Sequence, residues 1–249
     1  MTPPRPQHVL LTGAAGFVGF HVANRLLNMG LRVTGVDNLN SYYPVQLKKD
    51  RLALLSSREG FVFHQVDIAD HAALKAVPDV NDADAVIHLA AQAGVRYSIE
   101  NPFAYGQSNL IGHLSILELV RHAPKKPRLV YASSSSVYGA NAKAPFSEDD
   151  RVDNPVSLYA ATKRSNELTS ESYAKLYGME QVGLRFFTVY GPWGRPDMAY
   201  WTFTRDIIEG RAIRVFNNGH LNRDFTWIDD IVAGVVATAL DQPRPTNPP

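Results

Sequence analysis

The chain has 249 residues, of which 45% are hydrophobic and 20% charged, so it can bury a sizeable core and is neither disordered nor fibrous. Its formal net charge is +1 and its 25 basic residues are scattered, which excludes strong attraction to nucleic acid or an anionic membrane and leaves a small molecule as the expected partner. Because there is no cysteine and the eight histidines lack metal-ligand spacing, we expect no disulfide and no metal site.

The two ends of the sequence carry expectations of their own. The N-terminal MTPPRPQ lacks an apolar signal region, and no stretch approaches about 20 uninterrupted apolar residues, so we expect a cytoplasmic protein without a membrane anchor. The C-terminal DQPRPTNPP is too rich in proline to continue a helix and is typical of a linker with nothing after it.

Short apolar runs alternate with helical periodicity through most of the chain. In order, strands are predicted at 8–12, 31–37, 61–67, 85–90 and 128–133, with a first helix at 17–29 and a long one at 103–122. Such alternation is typical of a parallel sheet covered by helices on both faces. The predicted fold is therefore α/β, a Rossmann-like doubly wound parallel sheet, whose ligands bind at the carboxyl ends of the strands.

The alternation loosens after residue 181. A helix near 201–209, a short strand AIRVF at 212–216 and a helix at 229–240 are predicted there. We therefore divide the chain into a first domain, residues 1–181, and a smaller, partial lobe, residues 182–249. This lobe is expected to be interleaved with the first domain and to pack over the ligand edge of its sheet.

A glycine-rich segment, TGAAGFVGFHV, follows the first predicted strand and opens the first helix. Gly13, Gly16 and Gly19 let the backbone turn tightly, let a phosphate reach the backbone amides and let the helix pack closely on the sheet. Glycines also serve ordinary tight turns. Here, however, Asp37 ends the next strand, where a carboxylate can accept both ribose hydroxyls, so the pattern predicts a dinucleotide site.

Asp37 also bears on the choice of dinucleotide. A carboxylate repels the 2′-phosphate of NADP, and the following residues 38–40 offer no cation to hold one, so NAD is the predicted cofactor. Asp67 and Ile68, at the end of the third strand, are placed to meet the adenine. The alternative for Asp67 is that it caps the next turn.

A second motif, SLYAATKRSNEL, opens a predicted helix with Tyr159 and Lys163 on one face. Such a pair often only extends from core to solvent. With the dinucleotide loop and the strand-end serines of ASSSSVYG, however, it forms a set suited to oxidising an alcohol. In that set a tyrosinate is the base, and a serine hydroxyl binds the substrate oxygen as it becomes a carbonyl.

The tyrosine needs a nearby charge to act as a base at neutral pH. A drop of about three units from a pKa of about 10 requires roughly 4 kcal/mol. An ammonium about 4 Å away, at an effective dielectric near 20, contributes on the order of 4 kcal/mol, and a cationic nicotinamide adds to it. We therefore expect Lys163 to lower the pKa of Tyr159.

These residues resemble the extended short-chain dehydrogenase/reductases and, within them, the nucleotide-sugar epimerases. The similarity is greatest to the UDP-glucuronate 4-epimerases and covers nearly the whole chain, through YYPVQLKKDRL, GVRYSIENPFAY, ASSSSVYGAN, SLYAATK, LRFFTVYGPWGRPDMA and RDFTWIDD. The resemblance implies an isomerase that inverts C4 of a UDP-hexuronate, UDP-glucuronate to UDP-galacturonate, through a 4-keto intermediate. It also implies Ser134, Tyr159 and Lys163 as catalytic residues.

The expected ligand contacts combine the motifs with this resemblance. NAD is expected at Gly13, Ala15, Gly16, Phe17, Val18, Gly19, Asp37, Asn38, Asp67, Ile68, Leu89, Ala90, Ala91, Gln92, Tyr159 and Lys163. The UDP-sugar is expected at Arg96, Ser134, Ser135, Ser136, Tyr159, Thr188, Arg195, Val215, Phe216 and Arg223. Arg223 matches the family position that contacts the pyrophosphate, with a surface ion pair as the alternative, and Phe216 is placed near the uracil, with a core position as the alternative.

The serine run bears on which reaction follows oxidation. Related dehydratases and decarboxylases usually carry an acidic residue just before VYG, where this sequence has Ser136. This favours epimerisation over the loss of water or carbon dioxide. All four hydroxyls of residues 133–136 are expected to surround the sugar, with a solvated turn as the alternative.

Two other functions stay open. One is another nucleotide-sugar epimerase or a dehydratase, which product analysis separates. The other is a catalytically silent NAD-binding module, because members of the family continue past this chain's last helix with elements that complete the sugar lobe; such a module binds NAD without turnover. A homodimer is the expected assembly.

Overall fold

The computed structural model describes residues 6–141, 143–215, 217–220 and 223–240. Its main strands are β1 (His8–Thr12), β2 (Arg32–Asp37), β3 (Phe61–Gln65), β4 (Ala85–His88), β5 (Arg128–Ser134) and β6 (Gln181–Phe186). All pair in parallel, in the order β3-β2-β1-β4-β5-β6. The predicted doubly wound parallel sheet is confirmed.

The strand at the centre of the sheet, β1, is mostly apolar because both of its faces are covered. Every residue of β1 is buried, because helices cover both faces of a parallel sheet. In the register of the sheet, Thr12 at the end of β1 lies opposite Val36 and His88, so neighbouring strands end at the same edge. The strand order reverses between β1 and β4, which is where ligands of such sheets bind.

The helices form a layer on each face of the sheet. They are α1 (Phe17–Asn28), α2 (Val45–Ser56), α3 (His71–Lys75), α4 (Tyr97–Glu100), α5 (Pro102–Tyr105), α6 (Gly112–His122), α7 (Leu158–Tyr177), α8 (Ala199–Ile208) and α9 (Ile228–Leu240). One core contains Leu11, Leu26 and Val235 and joins α1 and α9 to the sheet, and another contains Leu10 and Ile116 on the opposite face. None of the helices in the described ranges has the length and apolarity that crossing a membrane requires.

The long helix predicted at 103–122 is helical over that range but is not one regular α-helix. A π-helical segment, Gly106–Ile111, separates α5 from α6. Within it Asn109 is buried and accepts a hydrogen bond from the backbone N–H of Gln92 at 2.8 Å, while its amide nitrogen donates to Thr162 Oγ1 at 3.1 Å. π-segments of this kind are frequent beside functional sites, because the extra residue redirects one side chain.

The segment assigned to the second lobe is interleaved with the sheet. β6 pairs with β5, and α9 packs against α1, whereas β7 (Thr188–Tyr190) and β8 (Phe225–Trp227) form a separate parallel pair. The strand predicted at 212–216 is wrong for its described residues 212–215, which have no strand pairing; a strand needs a neighbour to satisfy its backbone groups. Phe216 lies outside the described residues. The boundary at residue 181 stays a prediction.

Candidate active site

A cleft of about 800 Å³ lies at the carboxyl ends of the strands, within the size range of small-molecule sites. It brings together the predicted residues Gly13, Gly16, Phe17, Val18, Gly19, Asp37, Asn38, Asp67, Ile68, Leu89, Ala90, Ala91, Gln92, Arg96, Ser134, Ser135, Ser136, Tyr159, Lys163, Thr188, Arg195 and Arg223. Of the predicted residues that the structure describes, Ala15 and Val215 do not line it. Val215 is 56% exposed, because the segment around it does not form the predicted strand. Within the described ranges, no three acidic or histidine side chains are grouped to hold a metal ion.

The glycine loop has the geometry that a pyrophosphate requires. Gly13 has φ +75°, and a Cβ there would lie 2.8 Å from the backbone nitrogen of Ala90. A Cβ on Gly19 would lie 2.0 Å from the Gly13 carbonyl oxygen, so the first turn of α1 packs against the loop. Gly16 precedes α1, and no described side chain caps that helix. Its first backbone N–H groups therefore suit a bound anion, and a dinucleotide fits here.

Asp37, at the end of β2, sits beside this loop. Its carboxylate accepts hydrogen bonds from the backbone N–H of Leu39 at 2.8 Å and of Ala15 at 3.3 Å, which is how Ala15 belongs to the site. Burial raises the pKa of the Asp37 carboxyl, while Lys48 and the two backbone N–H groups act to lower it. A carboxylate already held by the loop is placed to accept ribose hydroxyls.

Lys48 is a cation near Asp37 that sequence reasoning missed. Residues 38–40 carry no cation, but Lys48 reaches them from α2 and is only 4% exposed. Its ammonium donates to the carbonyl oxygen of Asn40 at 2.9 Å and to Asn40 Oδ1 at 2.8 Å. The spacing along the chain offered no signal, because only the packing of α2 brings Lys48 to the end of β2.

The predicted adenine residues lie at the same edge. Asp67 accepts a hydrogen bond from the backbone N–H of Ala69 at 2.9 Å and from the Asn38 side chain at 3.1 Å. Asp67 therefore makes the turn contact that was the alternative interpretation, and it also lines the cleft. Ile68 is buried, and it packs so closely against Gly112 that a Cβ there would lie 2.7 Å from Ile68 Cδ1.

The structure brings Tyr159, Lys163 and Ser134 together. Ser157 caps α7 by accepting from the backbone N–H of Ala160 at 3.1 Å, so Tyr159 stands in the first turn of the helix and Lys163 one turn later. Lys163 is 3% exposed, and its ammonium donates to the carbonyl oxygen of Ala132 at 2.8 Å, next to the serines.

The protonation of this set differs from the prediction. Burial raises the pKa of Tyr159, and the Ser134 hydroxyl and the charge of Arg195 act in the opposite direction without cancelling it. Burial also lowers the pKa of Lys163 from 10.5 to about 8. The expected drop in the pKa of Tyr159 is therefore absent in the protein alone, because burial disfavours the charged form of the phenol; the effect of Lys163 on it stays a prediction.

The serines of residues 133–136 differ in the hydrogen bonds that their hydroxyls make. Ser133 donates to Glu167 Oε1 on α7 at 2.6 Å, and Glu167 also accepts from Arg185 at 2.9 Å. Ser134 accepts from the backbone N–H of Ser136 at 3.1 Å and caps a short 3₁₀ turn. All four serines line the cleft, but the hydroxyl of Ser133 already donates to Glu167; the expectation that all four hydroxyls surround the sugar stays a prediction.

Arg195 is held by two residues that sequence reasoning missed. It forms a two-pronged ion pair with Asp197, with Nε to Oδ1 at 3.0 Å and Nη2 to Oδ2 at 2.5 Å, and Tyr42 donates to Asp197 Oδ2 at 3.0 Å. Burial acts to lower the pKa of Arg195, but the Asp197 carboxylate outweighs it and the pKa is raised. The signal available in the sequence was the aspartate two residues after Arg195.

Comparison with known proteins identifies related chains. A family model described as the NAD dependent epimerase/dehydratase family matches residues 9–248. UDP-glucuronate 4-epimerase 3 of Arabidopsis thaliana is 55% identical over 236 residues, which are 94% of this chain and 54% of that protein. The chain thus spans about half the length of that curated relative.

Solved structures share the fold. The crystal structure of UDP-glucuronic acid 4-epimerase from Bacillus cereus, in complex with UDP-glucuronic acid and NAD, matches with a TM-score of 0.84 and 37% identity, over 93% of this chain and 72% of that one. UDP-glucose 4-epimerase of Thermotoga maritima, solved with UDP-glucose, matches with a TM-score of 0.82 and 30% identity, over 93% and 72%.

Proposed function

Because the chain belongs to the NAD dependent epimerase/dehydratase family, we propose that it is a NAD-dependent isomerase of UDP-hexuronates. It converts UDP-glucuronate to UDP-galacturonate through a 4-keto intermediate. The observation that carries the proposal is that one cleft joins the glycine loop, the set of Ser134, Tyr159 and Lys163, and the cation Arg195. The similarity to the Arabidopsis and Bacillus cereus enzymes supports the choice of sugar acid.

The cofactor residues are those of the glycine loop and Asp37. The N–H groups at the start of α1 hold the pyrophosphate, and Asp37 accepts hydrogen bonds from a ribose. Bound NAD supplies the acceptor and donor of the C4 hydride and a positive ring charge. Tyr159, whose pKa burial raises, would ionise more readily beside that charge.

The side chains of this protein then handle the proton. Tyr159 takes the proton of the 4-hydroxyl, and the hydroxyl of Ser134 donates a hydrogen bond to the oxygen that becomes a carbonyl. Lys163, held by the Ala132 carbonyl and one helical turn after Tyr159, contributes positive charge to this side of the cleft when it is protonated. The keto sugar would then rotate in the cleft and present its other face to the hydride donor, and Tyr159 would return the proton to the 4-oxygen.

The sugar carboxylate needs its own restraint. A 4-keto hexuronate is a β-keto acid, which loses carbon dioxide when its carboxylate bond aligns with the π system of the carbonyl. Ser135, Ser136, Thr188 and Arg195 line the sugar side of the cleft and hold the carboxylate away from that alignment. Each hydrogen bond to a charged group contributes about 1.5–3 kcal/mol.

Product analysis tests the proposal. The protein is incubated with UDP-glucuronate and NAD, and the nucleotide sugars are identified by NMR. We expect UDP-galacturonate as the product, without net consumption of NAD. UDP-4-keto-pentose or a dehydrated sugar would identify a different reaction of the same family. NAD binding without any product would identify a silent NAD-binding module instead.

We also infer that the protein is a homodimer. Exposed apolar side chains are found on neighbouring helices of one side of the fold: Ile99, Phe103, Leu110, Ile111, Leu114, Leu168 and Leu176. Phe103 alone is 87% exposed. Such patches commonly pair with a second copy. Light scattering is expected to give twice the mass of the chain, and Leu114→Glu is expected to give the monomer mass. A cytoplasmic location stays a prediction.

A further inference from the structure

Arg51 on α2 is a fully buried cation between two loops of the cleft. Its Nη1 donates to the carbonyl oxygen of Ala15 and to the hydroxyl of Tyr43, both at 2.9 Å. Its Nη2 donates to the carbonyl oxygen of Trp193 at 2.5 Å and, more weakly, to that of Gly194 at 3.5 Å. Among the described residues no carboxylate forms an ion pair with Arg51, and its Nε has no hydrogen-bond partner.

The three carbonyls that Arg51 joins belong to two segments with different expected ligands. Ala15 lies inside the glycine loop, between Gly13 and Gly16, which line the cleft where NAD is proposed to bind. Trp193 and Gly194 belong to the segment 191–198, which we call the sugar loop because it carries Arg195. The contact between Arg51 and Trp193 spans 142 residues of sequence. One side chain therefore connects the cofactor loop to the sugar loop.

The sugar loop is held in a conformation that needs outside support. Trp193 has φ +61°, a left-handed conformation that is unfavourable for a large side chain and persists only when surrounding contacts impose it. His21 of α1 makes a 2.9 Å hydrogen bond with the carbonyl oxygen of Pro192, and the Phe20 ring lies 5.8 Å from that of Trp193. Arg51 and α1 together therefore impose the path of this loop.

The burial of Arg51 argues for a role beyond stability. Arg51 attracts the charge of Asp37 but forms no direct ion pair with it, and apolar residues of similar volume usually stabilise a core as well as a buried cation or better. Here the guanidinium is satisfied by carbonyl dipoles from loops that face different ligands. The arrangement is costly for the fold and suited to transmitting the order of one loop to the other.

We propose that Arg51 is a positioning residue that couples cofactor binding to the order of the sugar loop. Binding at the glycine loop fixes the Ala15 carbonyl, which fixes the guanidinium and hence the Trp193 and Gly194 carbonyls before Arg195. The inference rests on the proposed NAD site but not on the proposed epimerisation. By thermodynamic linkage, a UDP-sugar acid that orders the sugar loop tightens NAD binding by the same factor.

Trp193 itself reports on the loop. The chain has three tryptophans, so Trp201→Phe with Trp227→Phe leaves Trp193 as the sole indole fluorophore. In this parent we measure acrylamide quenching of Trp193 with and without NAD, and NAD affinity by calorimetry. The test variant is Arg51→Lys, which keeps the positive charge but loses the two separate Nη donors that reach the two loops. The control is Arg58→Lys, since Arg58 donates hydrogen bonds to Asn24 and Asn28 on α1 and, among the described residues, to no residue of the sugar loop.

NAD is expected to lower the quenching constant of Trp193 at least about twofold in the parent and in Arg58→Lys, because it orders the loop. In Arg51→Lys, NAD still binds, but the quenching constant is expected to stay unchanged. An equal fall in Arg51→Lys, or no fall in a parent that binds NAD, overturns the coupling. A parent that does not bind NAD overturns both this inference and the cofactor proposal, whereas coupling without product contradicts only the epimerisation.

A second variant covers the case in which Arg51→Lys does not fold. Tyr43→Phe removes one acceptor of the guanidinium and leaves Arg51 itself in place. We expect NAD to lower the quenching constant of Trp193 less in this variant than in the parent. A fall equal to that of the parent contradicts the proposal.

Discussion

The two sides of the cleft are held in place by different kinds of contact. On the cofactor side, Gly13, Asp37 and Ala90 stand at the ends of buried strands, whose backbone pairing sets their positions. On the sugar side, α8 has no buried residue, and the sugar loop depends on a few long side chains such as Arg51. The sheet therefore positions the proposed cofactor residues, the start of α7 positions Tyr159, and individual polar contacts position the sugar loop.

The largest effect is expected at Tyr159, which lines the cleft from the first turn of α7. Tyr159→Phe keeps the ring and removes the proton acceptor, so kcat is expected to fall by about 10²–10⁴-fold while NAD affinity changes little. Tyr173→Phe is the control, because Tyr173 lies further along α7 and its hydroxyl donates to Glu118 on α6. Turnover and NAD titrations of both variants provide the measurement, and near-normal turnover of Tyr159→Phe contradicts the mechanism.

The next largest effect is expected at Asp37, at the end of β2, which we propose determines the affinity for NAD and the preference for NAD over NADP. Asp37→Ala removes an acceptor of ribose hydroxyls, so NAD affinity is expected to fall by about 10–100-fold, from about 1.5–3 kcal/mol of lost hydrogen bonding. The preference for NAD over NADP should narrow, because Lys48 remains nearby without the carboxylate. Calorimetric titration with each dinucleotide measures both effects. Unchanged selectivity removes Asp37 from the site.

Burying the ammonium of Lys163 is expected to lower the free energy of unfolding of the protein. Burial lowers its pKa from 10.5 to about 8. Between pH 8 and pH 10.5 the unfolded state therefore holds a proton that the folded state has lost, so the stability of the folded state rises with pH in this range. Without NAD at pH 7, Lys163→Met is expected to be about 2 kcal/mol more stable than the parent protein. Removing the buried charge stabilises it by about 3 kcal/mol, and losing the hydrogen bond to Ala132 costs about 1 kcal/mol.

Urea unfolding of the parent and of Lys163→Met at several pH values measures this cost. The stability difference between them is expected to shrink as the pH rises from 8 towards 10.5. A difference that stays constant over this range shows that burial of the lysine charge is not its origin.

The smallest effect compares two serines of one run. Ser136→Ala is expected to raise the share of UDP-4-keto-pentose relative to epimer at least about tenfold, because one hydrogen bond to the carboxylate contributes about 1.5–3 kcal/mol. Ser133→Ala is the matched control: it loses the bond to Glu167 and some stability but leaves the product ratio unchanged. NMR of the products measures the ratio, and the same clean epimer from Ser136→Ala argues against a carboxylate clamp.

The sequence by itself determined the features that depend on near neighbours in the chain. Apolar runs predicted β1 to β5, glycine spacing predicted the loop before α1, and the four-residue spacing of Tyr159 and Lys163 predicted one helix face. Each of these follows from local periodicity or from the conformations open to glycine, which a single segment expresses without its partners.

The tertiary structure decided the contacts between distant segments. The π-segment that turns Asn109 towards Gln92, the hydrogen bond that joins Ser133 to Glu167, and the guanidinium of Arg51 between two loops all depend on which elements pack side by side. The burial that raises the pKa of Tyr159 belongs to this class as well. Solvent exclusion depends on the whole fold, so no spacing along the chain could have revealed it.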